Sequence, residues 1–208
     1  MLRAILAVAA ALMLSACAED IKAPVEKVAA ARYQSEEPPS ITLLTSINER
    51  TGAGAHSALL VNASQRVLFD PAGTFQHPSL PERGDVLYGM TDRMVWFYRD
   101  YHGRNSETEH FNLYEQKVYV SPEVAERALQ LVMNNGAVPK AQCARSISSI
   151  LRQLPGFENV KGSWFPKTLR DNFNVVPGIH AQVFTEENDN PGAGHGIVLV
   201  DKKGNKVN

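Results

Sequence analysis

The sequence predicts an α+β domain in which a small, mainly antiparallel sheet packs on a helix carrying a cysteine at its N-terminus. Two observations predict the sheet. The polar stretch Asn62-Ala63-Ser64-Gln65 separates two apolar runs, which is hairpin chemistry, and further alternating runs stand on either side of it. A third observation predicts the helices: two apolar patterns of helical period, each with start or stop signals, follow the strands.

In chain order, residues 41–47 alternate loosely and predict a first strand. Gly52-Ala53-Gly54-Ala55 then permits a close backbone approach before His56. Residues 56–61 form a strand, and residues 66–70 form the return strand, closed by Pro71. Counting back from the turn places Asp70 close to the level of His56. Residues 71–110 read as loop-rich, with a bend from Pro78 to Pro81, a strand candidate at 84–88 and the aromatic segment Trp96-Phe97-Tyr98. Residues 111–120 predict another strand.

Ser121-Pro122-Glu123 is a helix start: a capping hydroxyl, proline at the first helical position and an acid in the first turn. That helix is expected to bury Val124, Ala128, Leu131 and Val132 and to stop at Asn135-Gly136. A second helix starts around Ala141 and ends at Pro155-Gly156, with Ile147, Ile150, Leu151 and Leu154 on its apolar face. One turn back from Ile147 lies Cys143, which puts it in the first turn and toward the packed side. Residues 195–200 offer one more strand before the polar turn Asp201-Lys202-Lys203-Gly204.

The N-terminus sets the compartment expected. Arg3, an apolar run from Ala4 to Leu14 and then small residues up to Cys17 follow the order of a secretory signal peptide, here residues 1–16. The apolar run is shorter than the roughly 20 residues that span a bilayer. Leu14-Ser15-Ala16-Cys17 resembles the bacterial lipobox, whose cysteine becomes a lipid-carrying N-terminus. More than one acyl chain gives stable anchoring, at roughly 0.8 kcal/mol per buried CH2 group. Ala18, in place of aspartate, resembles an outer-membrane address. Residues 17–40 read as a lipidated N-terminus and flexible tether, and residues 41–208 as one domain. With 21 Lys and Arg against 22 Asp and Glu and no basic cluster, nucleic acid is not an expected partner.

If lipid consumes Cys17, Cys143 is the only remaining thiol of the two cysteines, so no intramolecular disulfide and no multi-cysteine zinc site is available. The first turn of a helix stabilises a thiolate through free N–H groups and the macrodipole. His56 is placed to serve as general base and then acid, and Asp70 to orient it, with His77 and Asn62 as substitutes for that third position. The backbone N–H of Cys143 is a candidate oxyanion donor. His102, His110 and His180 show no metal-ligand spacing and read as surface or packing residues. No HExxH motif or phosphate loop occurs, so neither a metal nor another cofactor is expected. Trp96, Phe97, Tyr98 and Tyr101 read either as core or as the lining of an apolar cleft.

The order of GAHSALLV, RVLFDPAG, further strands and then QCARSISSILRQL resembles the circularly permuted NlpC-type papain-like hydrolases, a group with bacterial lipoprotein members and a distant relative in lecithin retinol acyltransferase. The resemblance covers residues 41–170. It implies a papain-like fold in which histidine precedes cysteine, and a thiol hydrolase or acyltransferase acting on an amide or ester through Cys143 and His56. Peptidoglycan peptides and lipids of the cell envelope are the implied substrates, with membrane attachment through the N-terminal lipid. The chain departs from the group at Gly194-His195-Gly196-Ile197, which resembles the histidine strand of the unpermuted enzymes and makes His195 an alternative base. Gly84-Asp85-Val86 likewise resembles the turn that precedes such a strand, though here it stands far upstream of His195. A reading of another class is a non-catalytic envelope lipoprotein that binds peptidoglycan or a protein partner.

Overall fold

Strand β1 (Ser40–Asn48) is buried along nearly its whole length, and the fold is organised around it. A computed structural model describes residues 21–104, 110–186, 195–201 and 204–207, so the expected signal peptide and Cys17 lie outside the described residues. After helix α1 (Val25–Ala30) and β1 come β2 (Gly54–Asn62), β3 (Arg66–Phe69), β4 (Glu82–Arg83), β5 (Val86–Tyr88) and helix α2 (Asp92–His102). There follow β6 (Phe111–Tyr119), helices α3 (Pro122–Asn135), α4 (Cys143–Leu151) and α5 (Pro166–Phe173), then β7 (His180–Glu186) and β8 (His195–Leu199). Among the described residues the strands form one eight-stranded sheet in the order β4-β5-β3-β2-β1-β6-β7-β8. Every neighbouring pair in it is antiparallel. The protein is therefore α+β.

Alternation along the strands divides the core in two. Ile41, Leu43, Leu59, Val61, Val67 and Phe69 face a layer that includes Ala128, Val132, Ile147, Leu151 and Leu169 of α3, α4 and α5. Leu44, Ala58, Leu60 and Leu68 face the opposite way, onto Met94, Val95 and Tyr98 of α2 and onto Phe75 and Leu80. Covering both faces explains why β1 and β2 read as apolar runs with only loose alternation. Each fully buried Leu, Ile or Phe contributes roughly 1.5–3 kcal/mol, so the α4 face of Ile147, Ile150 and Leu151 alone anchors that helix firmly.

The helix at 122–135 begins as its sequence predicts, with the Ser121 hydroxyl accepting the Val124 N–H, and Gly136 beyond its end has φ 73°. Its buried face is rotated by about one residue from expectation. Ala125, Ala128, Leu129 and Val132 are buried, while Val124 and Leu131 are only partly covered.

Five elements were not expected, among them α1 in the stretch read as tether and β4 just before the strand candidate at 84–88. Helix α2 stands in the stretch read as loop, because Thr91 caps it and its aromatic residues invite a strand or loop reading. Helix α5 and strand β7 complete the C-terminal part, which extends the sheet. The tether reading is corrected for residues 21–40, which lie along the domain. Ala23 donates to the Glu82 carbonyl, Gly84 to that of Ile21 and Arg66 to that of Tyr33, and Asn62 Nδ2 holds the carbonyls of Glu37 and Pro38. Among the described residues no helix is long and apolar enough to cross a membrane.

Candidate active site

The site forms where β3 ends and β2 continues. Arg66 sends its N–H to Tyr33 and not to Asn62, so the hydrogen-bonded pairs of the β2–β3 ladder are Val61↔Val67 and Leu59↔Phe69. By the same period Ser57 aims its N–H at the space that β3 has vacated. Cys143, the first residue of α4, lies there, and the N–H groups of Ser57 and Ala144 act on its sulfur. A strand edge and a helix N-terminus thus converge on one thiol, which is almost fully buried.

His56 reaches the sulfur because the strand is bulged beside it. The β1–β2 register runs Ser46↔His56 and then jumps to Ile47↔Gly54, leaving Ala55 as the extra residue. Bulges of this kind re-aim side chains and are common beside active sites. Gly54 is required where β2 starts, since a Cβ there would lie 2.4 Å from the Lys167 backbone nitrogen at the head of α5.

His56 Nε2 lies 2.7 Å from Asp70 Oδ1, which leaves its other ring nitrogen to the neighbouring Cys143 thiol. The Tyr98 hydroxyl donates to the same Asp70 oxygen at 2.9 Å. Asp70 is fixed in turn by its loop. Its carbonyl accepts the Gly73 N–H, and a Cβ on Gly73 would sit 1.9 Å from Asp70 Oδ2, so only glycine fits against the carboxylate. Asp85, in the left-handed region at φ 61°, accepts the N–H groups of Ala72 and Val138 through Oδ2. One buried carboxylate therefore ties the loop after Asp70 to the loop that leads into α4.

These contacts govern charge. Burial opposes a cation at His56, but the charge and hydrogen bond of Asp70, with the thiolate of Cys143, raise its pKa to about 10. Burial raises the Cys143 thiol; the His56 imidazolium and the two N–H groups outweigh it and hold the thiol below its ordinary value. Asp70 is likewise lowered, burial being overcome by the charge and hydrogen bond of His56 and by Tyr98. These contacts favour a carboxylate at Asp70 and an imidazolium at His56, and they shift Cys143 toward its thiolate.

His102 was expected to be a surface or packing residue, and this is corrected: it lies in the site. Its ring stacks on that of His56 at 5.3 Å between centroids and touches Tyr98 at 4.4 Å. Burial lowers its pKa to about 4, and the neighbouring His56 cation works in the same direction against the pull of Asp70. His56 and His102 line a cleft of about 500 Å³ together with Ser46, Thr74, Tyr101 and Arg104. Of the aromatic segment, Tyr98 is core, Tyr101 lines the cleft, and Trp96 is exposed on another side of α2.

The remaining candidates lie elsewhere. His77 accepts the Ser79 N–H through Nδ1 and stacks on Phe97, outside the cleft. Asn62 closes the far end of β2. His110 gives its carbonyl to Glu49, and His180 packs against Tyr119. The backbone of His195 pairs with Glu186 in β8, four strands from β2 and so roughly 19 Å across the sheet.

Sequence reasoning missed His102, Tyr98 and Asp85. A Thr91 cap followed by apolar residues at 94, 95 and 98 was the available signal for α2, and hence for Tyr98 and His102. Nothing local marks Asp85. The chain matches no protein-family model, no curated protein and no solved structure.

Proposed function

We propose that the chain is a lipid-anchored cell-envelope thiol hydrolase or acyltransferase with the permuted papain-like arrangement that its motif order resembles. The observation that carries the reading is the line Asp70–His56–Cys143, with the sulfur at a helix N-terminus and the imidazole held at 2.7 Å by a buried carboxylate.

The thiolate attacks the carbonyl carbon of an amide or ester. The C–S bond forms and the carbonyl electron pair moves to oxygen, toward the backbone N–H of Cys143 at the start of α4. As the tetrahedral species collapses, the C–N or C–O bond breaks and the leaving group takes the proton held by His56. Water or an acceptor nucleophile then gives a proton to His56 and attacks the thioester, and the C–S bond breaks to restore the thiolate. Asp70 keeps the imidazole in one tautomer and stabilises its charge throughout. Cys17 carries the lipid, and the substrates are peptidoglycan stem peptides or lipid esters and amides.

The test is the pH dependence of Cys143 alkylation by iodoacetamide, read on the Cys143 peptide by mass spectrometry. Labelling should stay fast below pH 7 in the wild type. In His56→Ala it should be slow until pH approaches the ordinary thiol pKa of about 8.5. If wild-type labelling also rises only near that value, the hydrolase reading fails and the non-catalytic binding lipoprotein replaces it.

A further inference from the structure

His102 lines the cleft beside His56, and the thiol chemistry leaves it idle. It is half-buried beside an aspartate and a second histidine, and its Nε2 is shielded from solvent yet has no hydrogen-bond partner among the described residues. A buried imidazole nitrogen without a partner is costly, and such atoms call for an explanation. One ligand atom from each of His56, Asp70 and His102 lies within 4.8 Å of the others. Two imidazoles and one carboxylate are a donor set suited to a divalent transition ion of the zinc type.

We propose that His56, Asp70 and His102 form a zinc-class metal site that overlaps the Asp70–His56 pair and does not use Cys143. Bonds of about 2.0–2.2 Å to a tetrahedral ion put ligand atoms roughly 3.4 Å apart. The 2.7 Å Asp70–His56 contact must open slightly, and the wider separations must close by about 1.4 Å at most, to reach that spacing. His102 is the last residue of α2, and its ring must turn out of its parallel contact with His56 for its nitrogen to face the ion. The ion takes the place of the proton between His56 Nε2 and Asp70 Oδ1, and that proton goes to solvent. The surrounding supports are present. Tyr98 orients the carboxylate at 2.9 Å, and the cleft lined by His56 and His102 supplies a path of entry and room for a water as fourth ligand.

Because His56 faces Cys143 with its other nitrogen, the thiol is not a ligand, and the site stands whether or not the hydrolase reading holds. Where both hold, occupancy takes from His56 the carboxylate that orients it and stops turnover.

The test is zinc competition against a chromophoric chelator at neutral pH, on the full chain carrying Cys17→Ser throughout so that only one thiol remains. One zinc per chain should bind, with affinity kept in Cys143→Ser and weakened by about tenfold or more in His102→Gln. Cobalt in the unmodified site should give visible ligand-field bands without a thiolate charge-transfer band, a readout that needs no variant to fold. Binding lost in Cys143→Ser but kept in His102→Gln would overturn the proposal and move the ion to the Cys143–His56 pair. Absence of zinc binding at micromolar concentrations would overturn it as well.

Discussion

Two strands of this sheet begin alike and end up in different worlds. β2 and β8 each follow a glycine-containing stretch, open on or near a histidine and continue in aliphatic residues, as GAHSALLV and GHGIVLV. β2 lies inside the sheet, flanked by β1 and β3, with helices on both faces. β8 is the last strand of the described sheet, with β7 as its one neighbouring strand there. The motif is the same, and the surroundings differ. His56 gains a carboxylate from β3, an aromatic hydroxyl and a second imidazole from α2, and a thiol from α4. A strand histidine becomes chemically useful through what other elements bring to it.

The sharpest way to break this contrast is to remove what β3 brings. In Asp70→Asn the charge that holds His56 protonated is gone while the shape is kept. Burial then favours a neutral imidazole, and the thiolate loses its cation. The acid side of the Cys143 alkylation profile should move to higher pH, and any hydrolytic turnover should fall by roughly 10²–10⁴-fold. Gly73→Ala should do part of the same damage from outside the line, because its Cβ occupies the place of Asp70 Oδ2. It should also cost about 1–3 kcal/mol of stability in urea unfolding. A Gly73→Ala protein with a wild-type alkylation profile would show that Asp70 tolerates displacement.

A smaller effect comes from α2. His102 and His56 stack on one another yet are driven in opposite directions, to about 4 and about 10 from a common starting value of 6.5. For His102 the folded value lies below the unfolded one, so folding favours the neutral ring. That stability is present above pH 6.5 and is lost as pH falls toward 4, by roughly 3 kcal/mol at most. For His56 the folded value lies above the unfolded one. Its stability is complete below pH 6.5 and is lost as pH rises through about 10. Urea unfolding of wild type and His102→Phe between pH 4 and 7 should separate the two, the variant losing less stability on acidification. Parallel curves would mean that His102 titrates as it does in the unfolded chain.

The hairpin, the helix start at Ser121 and the placement of Cys143 one turn before Ile147 were legible because each depends on residues within a turn or two of one another. Asp70 was legible for the same reason, since a short turn makes register a matter of counting. His102 was not. It sits far along the chain, on a helix whose charged and aromatic residues hide its period, and only the packing of α2 across the sheet brings its ring to His56. Asp85 was beyond local reading too, because its partners Ala72 and Val138 meet only in the fold. The bulge at Ala55 was half visible: the glycines announced a close approach, but not the extra residue that turns His56 toward the thiol.

The smallest effect is expected at β8. Its backbone holds His195 opposite Glu186, roughly 19 Å of sheet away from β2. His195→Ala should therefore leave the Cys143 alkylation profile unchanged at every pH, while His56→Ala removes its acid side. The reverse result, loss in His195→Ala alone, would mean that the unpermuted order of cysteine before histidine is the working one, and that the contacts of His56 with Asp70 and Cys143 serve packing.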